Sequence, residues 1–145
     1  MGLDIYISKK FYVENWDHYG ESENVSIDIK VKGRKIPLLS LDKVTHITTN
    51  FLYFRNNHDF LNWFKNYLNN ETEFDVDILE DFSNELERCS NGEELKHGSF
   101  DRVDKEEIEK TLVLVKQELK IYNLIKKKSP YLSRDFLPTY EFISH

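Results

Sequence analysis

Arg55, His58 and Trp63 fall within one short stretch, Tyr53-Phe54-Arg55-Asn56-Asn57-His58-Asp59-Phe60-Leu61-Asn62-Trp63-Phe64. A guanidinium and an imidazole beside the start of a helix can hold a carboxylate or phosphate against the free amides of the first turn. Trp63 adds a flat apolar wall for the rest of such a ligand. The same residues also have a plain structural reading, with Arg55 paired to a surface acid and Trp63 in the core. This strand-to-helix junction is the candidate ligand site.

Other reactive chemistry is thinly represented. His18, His46, His58, His97 and His145 are dispersed. No two stand three or four apart, the spacing that places two metal ligands on one helical face. Asp17-His18 with a distant carboxylate would suit a hydrolytic metal, but any acidic chain offers as much. Cys89 is the one cysteine, which excludes an internal disulfide or a multi-thiolate site in one chain. It falls on the apolar side of a helix, as a small hydrophobe. Gly33, Gly92 and Gly98 stand singly, so no glycine-rich phosphate loop is present, and no Gly-x-Ser-x-Gly elbow either. The expectation is a chain with no catalytic residue, no metal and no cofactor.

Charge is unevenly placed. Residues 71–109 carry 15 acids against four bases, a local −11, so the rest of a chain of net −6 carries +5. If two helices in this region pack side by side, Asp75, Asp77, Glu80, Asp81, Glu85 and Glu87, with Glu106 and Glu109, form one broad negative surface. Such a surface disfavours a phosphate backbone and suits a protein partner with a basic surface, which it would steer electrostatically. The plain alternative is a solvated face. Lys126-Lys127-Lys128 reads as the cationic end of a helix dipole.

The 145 residues are the size of a single domain, 1–145, and 39% hydrophobic with 14% aromatic residues allows an aromatic core. No apolar run approaches the ~20 residues needed to cross a membrane. Met1-Gly2-Leu3-Asp4 has an acid where a signal peptide has bases, so a cytoplasmic protein is expected.

Leu3, Ile5 and Ile7 alternate with polar neighbours and predict a strand, continuing through Phe11 and Val13. A polar loop over 14–24 precedes a second alternating strand, Val25, Ile27, Ile29 and Val31. A turn at Lys32-Gly33 returns it as a hairpin through Ile36 to Leu39. Residues 44–53, rich in β-branched side chains, form a further strand. Phe60, Leu61, Phe64, Tyr67 and Leu68, widened by Trp63, make one stripe of a helix over 57–69 capped by Asn56 or Asn57. A second helix starts at Asp77 with Glu80 in capping-box spacing, carries Ile78, Leu79, Phe82, Leu86 and Cys89, and stops at Gly92. A third has Asp104 and Glu107 as a capping box, Val103 and Ile108 as a staple, and the seam Ile108, Leu112, Val115, Leu119, Tyr122. Pro130 ends it. Residues 136–143 return as a last strand. Strands first, helices after and one strand last predict an α+β fold, an antiparallel sheet of four to five strands with three helices mainly on one face.

Met1-Gly2-Leu3-Asp4-Ile5-Tyr6-Ile7, Tyr53-Phe54-Arg55 leading to Trp63-Phe64, the helix Leu79 to Cys89, and Leu137-Pro138-Thr139 followed by Phe142 occur in this order. Together, over about a third of the chain, they resemble a family of small uncharacterised phage and prophage proteins. That family opens Met-Gly-Leu-Asp-Met-Tyr-Leu, has Tyr-Trp-Arg-Lys-x-Asn-x-x-His-x-Trp-Phe, and ends near Leu-Pro-Thr. Here Phe54 stands for Trp, Asn56 for Lys, His58 for Asn and Leu61 for His, and the Gly-rich tail is shorter. The resemblance implies an origin and no activity. The expected function is a phage-type accessory protein that binds, and inhibits, a host or defence protein through its acidic helical surface. The alternatives are a ligand-binding protein or enzyme using Arg55, His58 and Trp63, and an immunity protein neutralising a basic toxin.

Overall fold

A computed structural model of the chain describes residues 2–12, 30–31, 34–35, 46–128 and 137–145. Along the chain these form β1 (Asp4–Tyr12), β2 (Lys30–Val31), β3 (Arg34–Lys35), β4 (His46–Arg55), α1 (His58–Leu68), β5 (Glu73–Phe74), α2 (Val76–Ser90), α3 (Lys105–Lys128) and β6 (Thr139–Ser144). One antiparallel sheet has the order β4-β1-β6-β5, and β2 pairs only with β3. With three helices this is the expected α+β fold.

β1 is one of the two inner strands, bonded on both edges, with Ile5 opposite Phe54 on one side and Ser144 on the other. Its alternation puts Ile5 and Ile7 on the covered face, both with no exposure. Ile7 faces Leu52 but Ser8 faces Asn50, so Phe51 is an extra residue in β4. The bulge brings the Phe51 ring edge-on to Tyr140 at 5.7 Å.

α1 and α3 cover the same side of the sheet. Phe60 of α1 meets Phe54 of β4 at 4.7 Å, and Phe64 stacks on Phe142 of β6 at 5.2 Å. From α3, Glu118 accepts from Lys9 Nζ of β1 at 2.9 Å and from the Tyr140 hydroxyl of β6 at 3.1 Å. α2 packs on α1 through Phe82, which touches Phe60, Trp63 and Phe64. Each edge-to-face pair adds about 0.5–1.5 kcal/mol beyond area burial, so the Phe60 cluster ties α1 and α2 to the sheet.

The α1 stripe holds: Phe60, Trp63, Phe64 and Leu68 are buried. Asn57, not Asn56, is the cap, its Oδ1 accepting from Phe60 N at 3.0 Å. Asn56 makes the turn before it, at φ 55°, a conformation Asn tolerates better than most side chains. α2 begins one residue before the expected Asp77, with Asp75 at the cap position and no side-chain cap bond. Asp77 therefore lies in the first turn, and no Asp77–Glu80 box forms. The expected stop is present, Gly92 taking φ 74° and Glu93 N donating to Arg88 O at 2.8 Å. In α3, Ile108, Val115 and Tyr122 of the expected seam are buried, but so are Thr111 and Glu118. The hairpin is seen at its tip, Lys30 opposite Lys35 and Val31 opposite Arg34. The rest of the expected 25–39 hairpin, the 14–24 loop, Val13, His18 and the start of the 44–53 strand lie outside the described residues. β5 was not anticipated, because two residues carry no period.

Candidate functional site

The junction of β4 and α1 is tied to the N-terminal segment. Leu3 N donates to Asn56 Oδ1 at 2.8 Å, and Asn56 N donates to Leu3 O at 2.7 Å. Arg55 and His58 are both exposed there, and no acid among the described residues stands within ion-pair distance of Arg55. His58, Asn57, Asp59, Arg102, Val103 and Glu107 line a hollow of about 120 Å3. Trp63 does not line it. It is 2% exposed and turned into the core, so the structure separates it from Arg55 and His58. The hollow's main ion pair is already made: Asp59 accepts from Arg102 N, Nε and Nη2 at 2.9, 3.0 and 2.7 Å.

The acidic surface also divides. Asp59 near the α1 start holds Arg102, whereas Tyr67 near the α1 end donates to Asp81. α3 therefore starts at the end of α1 opposite to where α2 starts, and α2 and α3 run antiparallel. Glu106 and Glu109 stand at one end of the helical layer, Asp75 and Asp77 at the other. At 1.5 Å per residue, α2 alone separates those ends by roughly 20 Å. The expected single surface is corrected to separate patches.

Two of its members are not surface groups. Glu85 is 1% exposed, and its carboxylate accepts from Lys96 N and His97 N at 3.1 Å. Asp81 is half-buried and holds the Tyr67 hydroxyl, whose pKa is pushed up to about 12 by that bond and then by burial. Glu87 is bonded to Lys116 at 3.2 Å, and Glu109 lies 4.0 Å from Lys105. Apart from Glu106 at the far end, what remains is a corner between β5 and α2. Glu71, Glu73, Asp75 and Asp77 surround an open depression of about 440 Å3 with Phe74, Ile78 and Thr139, and exposed Glu80 lies one turn on from Asp77.

No cation among the described residues reaches these five acids. Lys65 shares a neighbouring hollow with Glu71 and Glu141 but pairs with neither. Glu73 also stands directly opposite Glu141 in the β5–β6 ladder, a like-charge pair that costs stability. Sequence reasoning found Asp75, Asp77 and Glu80 but missed Glu71 and Glu73, because the two-residue strand that turns them toward α2 has no periodic signal.

Elsewhere, burial pushes the Cys89 thiol up, which disfavours the reactive thiolate. Burial, with the Glu118 carboxylate second, raises the Tyr140 phenol far above its ordinary value. No helix among the described residues is long and apolar enough to cross a membrane. No protein-family model, curated protein or solved structure matches the chain.

Proposed function

We propose that the protein is a non-enzymatic binding protein that takes a basic surface of a partner protein at the β5–α2 corner. One observation carries this reading: Glu71, Glu73, Asp75 and Asp77 converge on one open depression with no cation of their own among the described residues. Four carboxylates held together repel one another, and Glu141 across the ladder adds to the cost. Lysine or arginine side chains of a partner relieve that repulsion, steer the encounter and make it salt-sensitive. The resemblance to small phage and prophage proteins supports a host or defence protein as the partner, inhibited by being covered.

The experiment is capture of partners from host lysate by the wild type and by an Asp75→Asn/Asp77→Asn/Glu80→Gln variant. The expected result is a basic protein that the wild type retains at low salt, releases as salt rises, and that the variant fails to hold. Equal capture by the variant, or retention that ignores salt, overturns the reading. A captured toxin encoded beside this chain would make it an immunity protein acting through the same corner.

A further inference from the structure

α3 is apolar on two sides, and the described core uses one of them. Ile108, Val115 and Tyr122 face inward and are buried, with Leu112 and Leu119 packed against the same core. Val113, Leu114, Ile121 and Leu124 project from the other side and are 37–55% exposed. Among the described residues only Tyr53 joins them as an exposed large hydrophobic side chain, so this apolar surface belongs to one helix. A helix that is apolar on more than one side is normally covered on more than one side. At about 3.6 residues per turn, positions 106, 110, 113, 117, 121, 124 and 128 share one line along α3.

The spacing of that line is symmetrical. From Gln117 the steps are four, three and four residues in either direction, to Val113, Lys110 and Glu106 one way and to Ile121, Leu124 and Lys128 the other. Charge changes sign about the same centre. Asp104, Glu106 and Glu107 stand at the start of α3, where Lys105 is engaged by Glu109, and Lys126, Lys127 and Lys128 stand at its end. A face that repeats its spacing in both directions and reverses its charge from end to end complements itself when turned around. Two copies of α3 laid antiparallel about a two-fold axis through Gln117 bring Val113 level with Ile121 of the second copy, and position 106 level with position 128. Lys110 then lies level with Leu124 of the second copy, across which its methylene stem can rest. Parallel packing would instead set acids against acids and lysines against lysines, with both helix dipoles pointing the same way.

We propose that the protein forms a two-fold dimer in which the outer face of α3 packs antiparallel on the same face of a second copy. Gln117 falls on the axis, where the two carboxamides each donate to and accept from the other. A single polar pair in an apolar seam fixes the register at some cost in strength. The face is about 35 Å long and about 10 Å wide, roughly 350 Å2 per copy, against the about 800 Å2 that a standard interface takes from each partner. The dimer is therefore weak, with a dissociation constant in the micromolar range. No residue of α3 lines the β5–α2 corner, so pairing and the partner site proposed there are separate.

Sedimentation velocity of the full chain over about 1–300 μM tests for pairing. The average mass should rise with concentration toward that of two chains. Ile121→Glu, at an exposed position that meets Val113 twice in a two-fold pair, should weaken association about hundredfold or more and leave the circular dichroism of the dilute protein unchanged. The geometry is tested in a Cys89→Ser background, which removes the native thiol. Under oxidised glutathione Gln117→Cys should form a covalent dimer, since antiparallel helices about 8–10 Å apart hold residues on the axis within disulfide reach. Leu124→Cys should not, because it lies about 20 Å along the helix from its counterpart. A chain that stays monomeric to the highest concentration overturns the proposal, whatever then covers α3. Unchanged association of Ile121→Glu does too, as does cross-linking of Leu124→Cys as fast as Gln117→Cys, the mark of parallel helices. The Asp75→Asn/Asp77→Asn/Glu80→Gln variant should pair as the wild type does, and a loss there would move the contact to the corner and overturn its assignment to α3.

Discussion

Asp59, Glu85 and Glu118 are 8, 1 and 4% exposed, and each accepts from at least two donors: Arg102 backbone and guanidinium, Lys96 and His97 amides, Lys9 and the Tyr140 hydroxyl. Glu71, Glu73, Asp75, Asp77 and Glu80 are exposed, and among the described residues no donor reaches their carboxylates. The same functional group thus holds the molecule together in one region and is left unopposed in another. Acidity in this chain is two separate properties. Substitutions in the two regions should separate stability from association, and that separation can be broken by experiment.

The largest effect should come from Glu118→Ala, which leaves Lys9 Nζ at the sheet–helix interface without its carboxylate and the Tyr140 hydroxyl without its acceptor. A loss of about 3–5 kcal/mol in urea unfolding is expected, since two hydrogen bonds to a buried carboxylate are removed at once. Glu85→Ala should follow, at about 3 kcal/mol, because two backbone amides lose their acceptor. A loss below about 0.5 kcal/mol for either, the level of an ordinary surface change, would erase the distinction between braces and corner.

Tyr67→Phe is a smaller test with its own pH signature. The Tyr67 pKa rises from 10.0 to about 12, first because the hydroxyl donates to Asp81 and then because it is partly buried. Between those values the folded protein keeps a proton that the unfolded chain has released, so stability falls as pH rises through the window. The contribution is present in full below pH 10 and is lost as pH passes through about 12. At neutral pH the variant should be less stable by about 1 kcal/mol, a value already reduced for partial exposure. Unfolding curves of the two proteins should converge on going from pH 10 to 12. A constant gap across that window would remove Asp81 as a brace.

The legible parts of this fold were those that repeat. Ile5 and Ile7 at period two, the Phe60–Leu68 stripe and the Ile108–Tyr122 seam each declare a buried face by spacing alone. Glu118 was illegible because a helix seam gives no reason to place an acid at its middle. Only the register of Lys9 with Ile5 and Ile7, on a different element, supplies the opposite charge. Glu85 was harder still, since its partners are main-chain amides of a loop, which no side-chain pattern records. Trp63 was read as a companion of Arg55 and His58, and the structure instead buries it against Phe64, Tyr67 and Phe82. Neighbours along a helix were visible in the sequence, while Phe82 arrives from α2.

The smallest stability effect is expected at the corner, and there a small number is the informative one. Asp75→Asn/Asp77→Asn/Glu80→Gln removes three charges that no donor among the described residues engages, so no bond is lost. Glu71 and Glu73 then face less repulsion, at the exposed end of a helix where Asp77 also gains about 0.3–1 kcal/mol from the dipole. These terms oppose each other, and the unfolding free energy should stay within about 0.5 kcal/mol of wild type. Partner association should nonetheless slow, and its dependence on salt should flatten, because the on-rate carries the steering charge. If the variant instead unfolds readily, the corner is a brace like Glu85 and Glu118, and its carboxylates serve the fold rather than a partner.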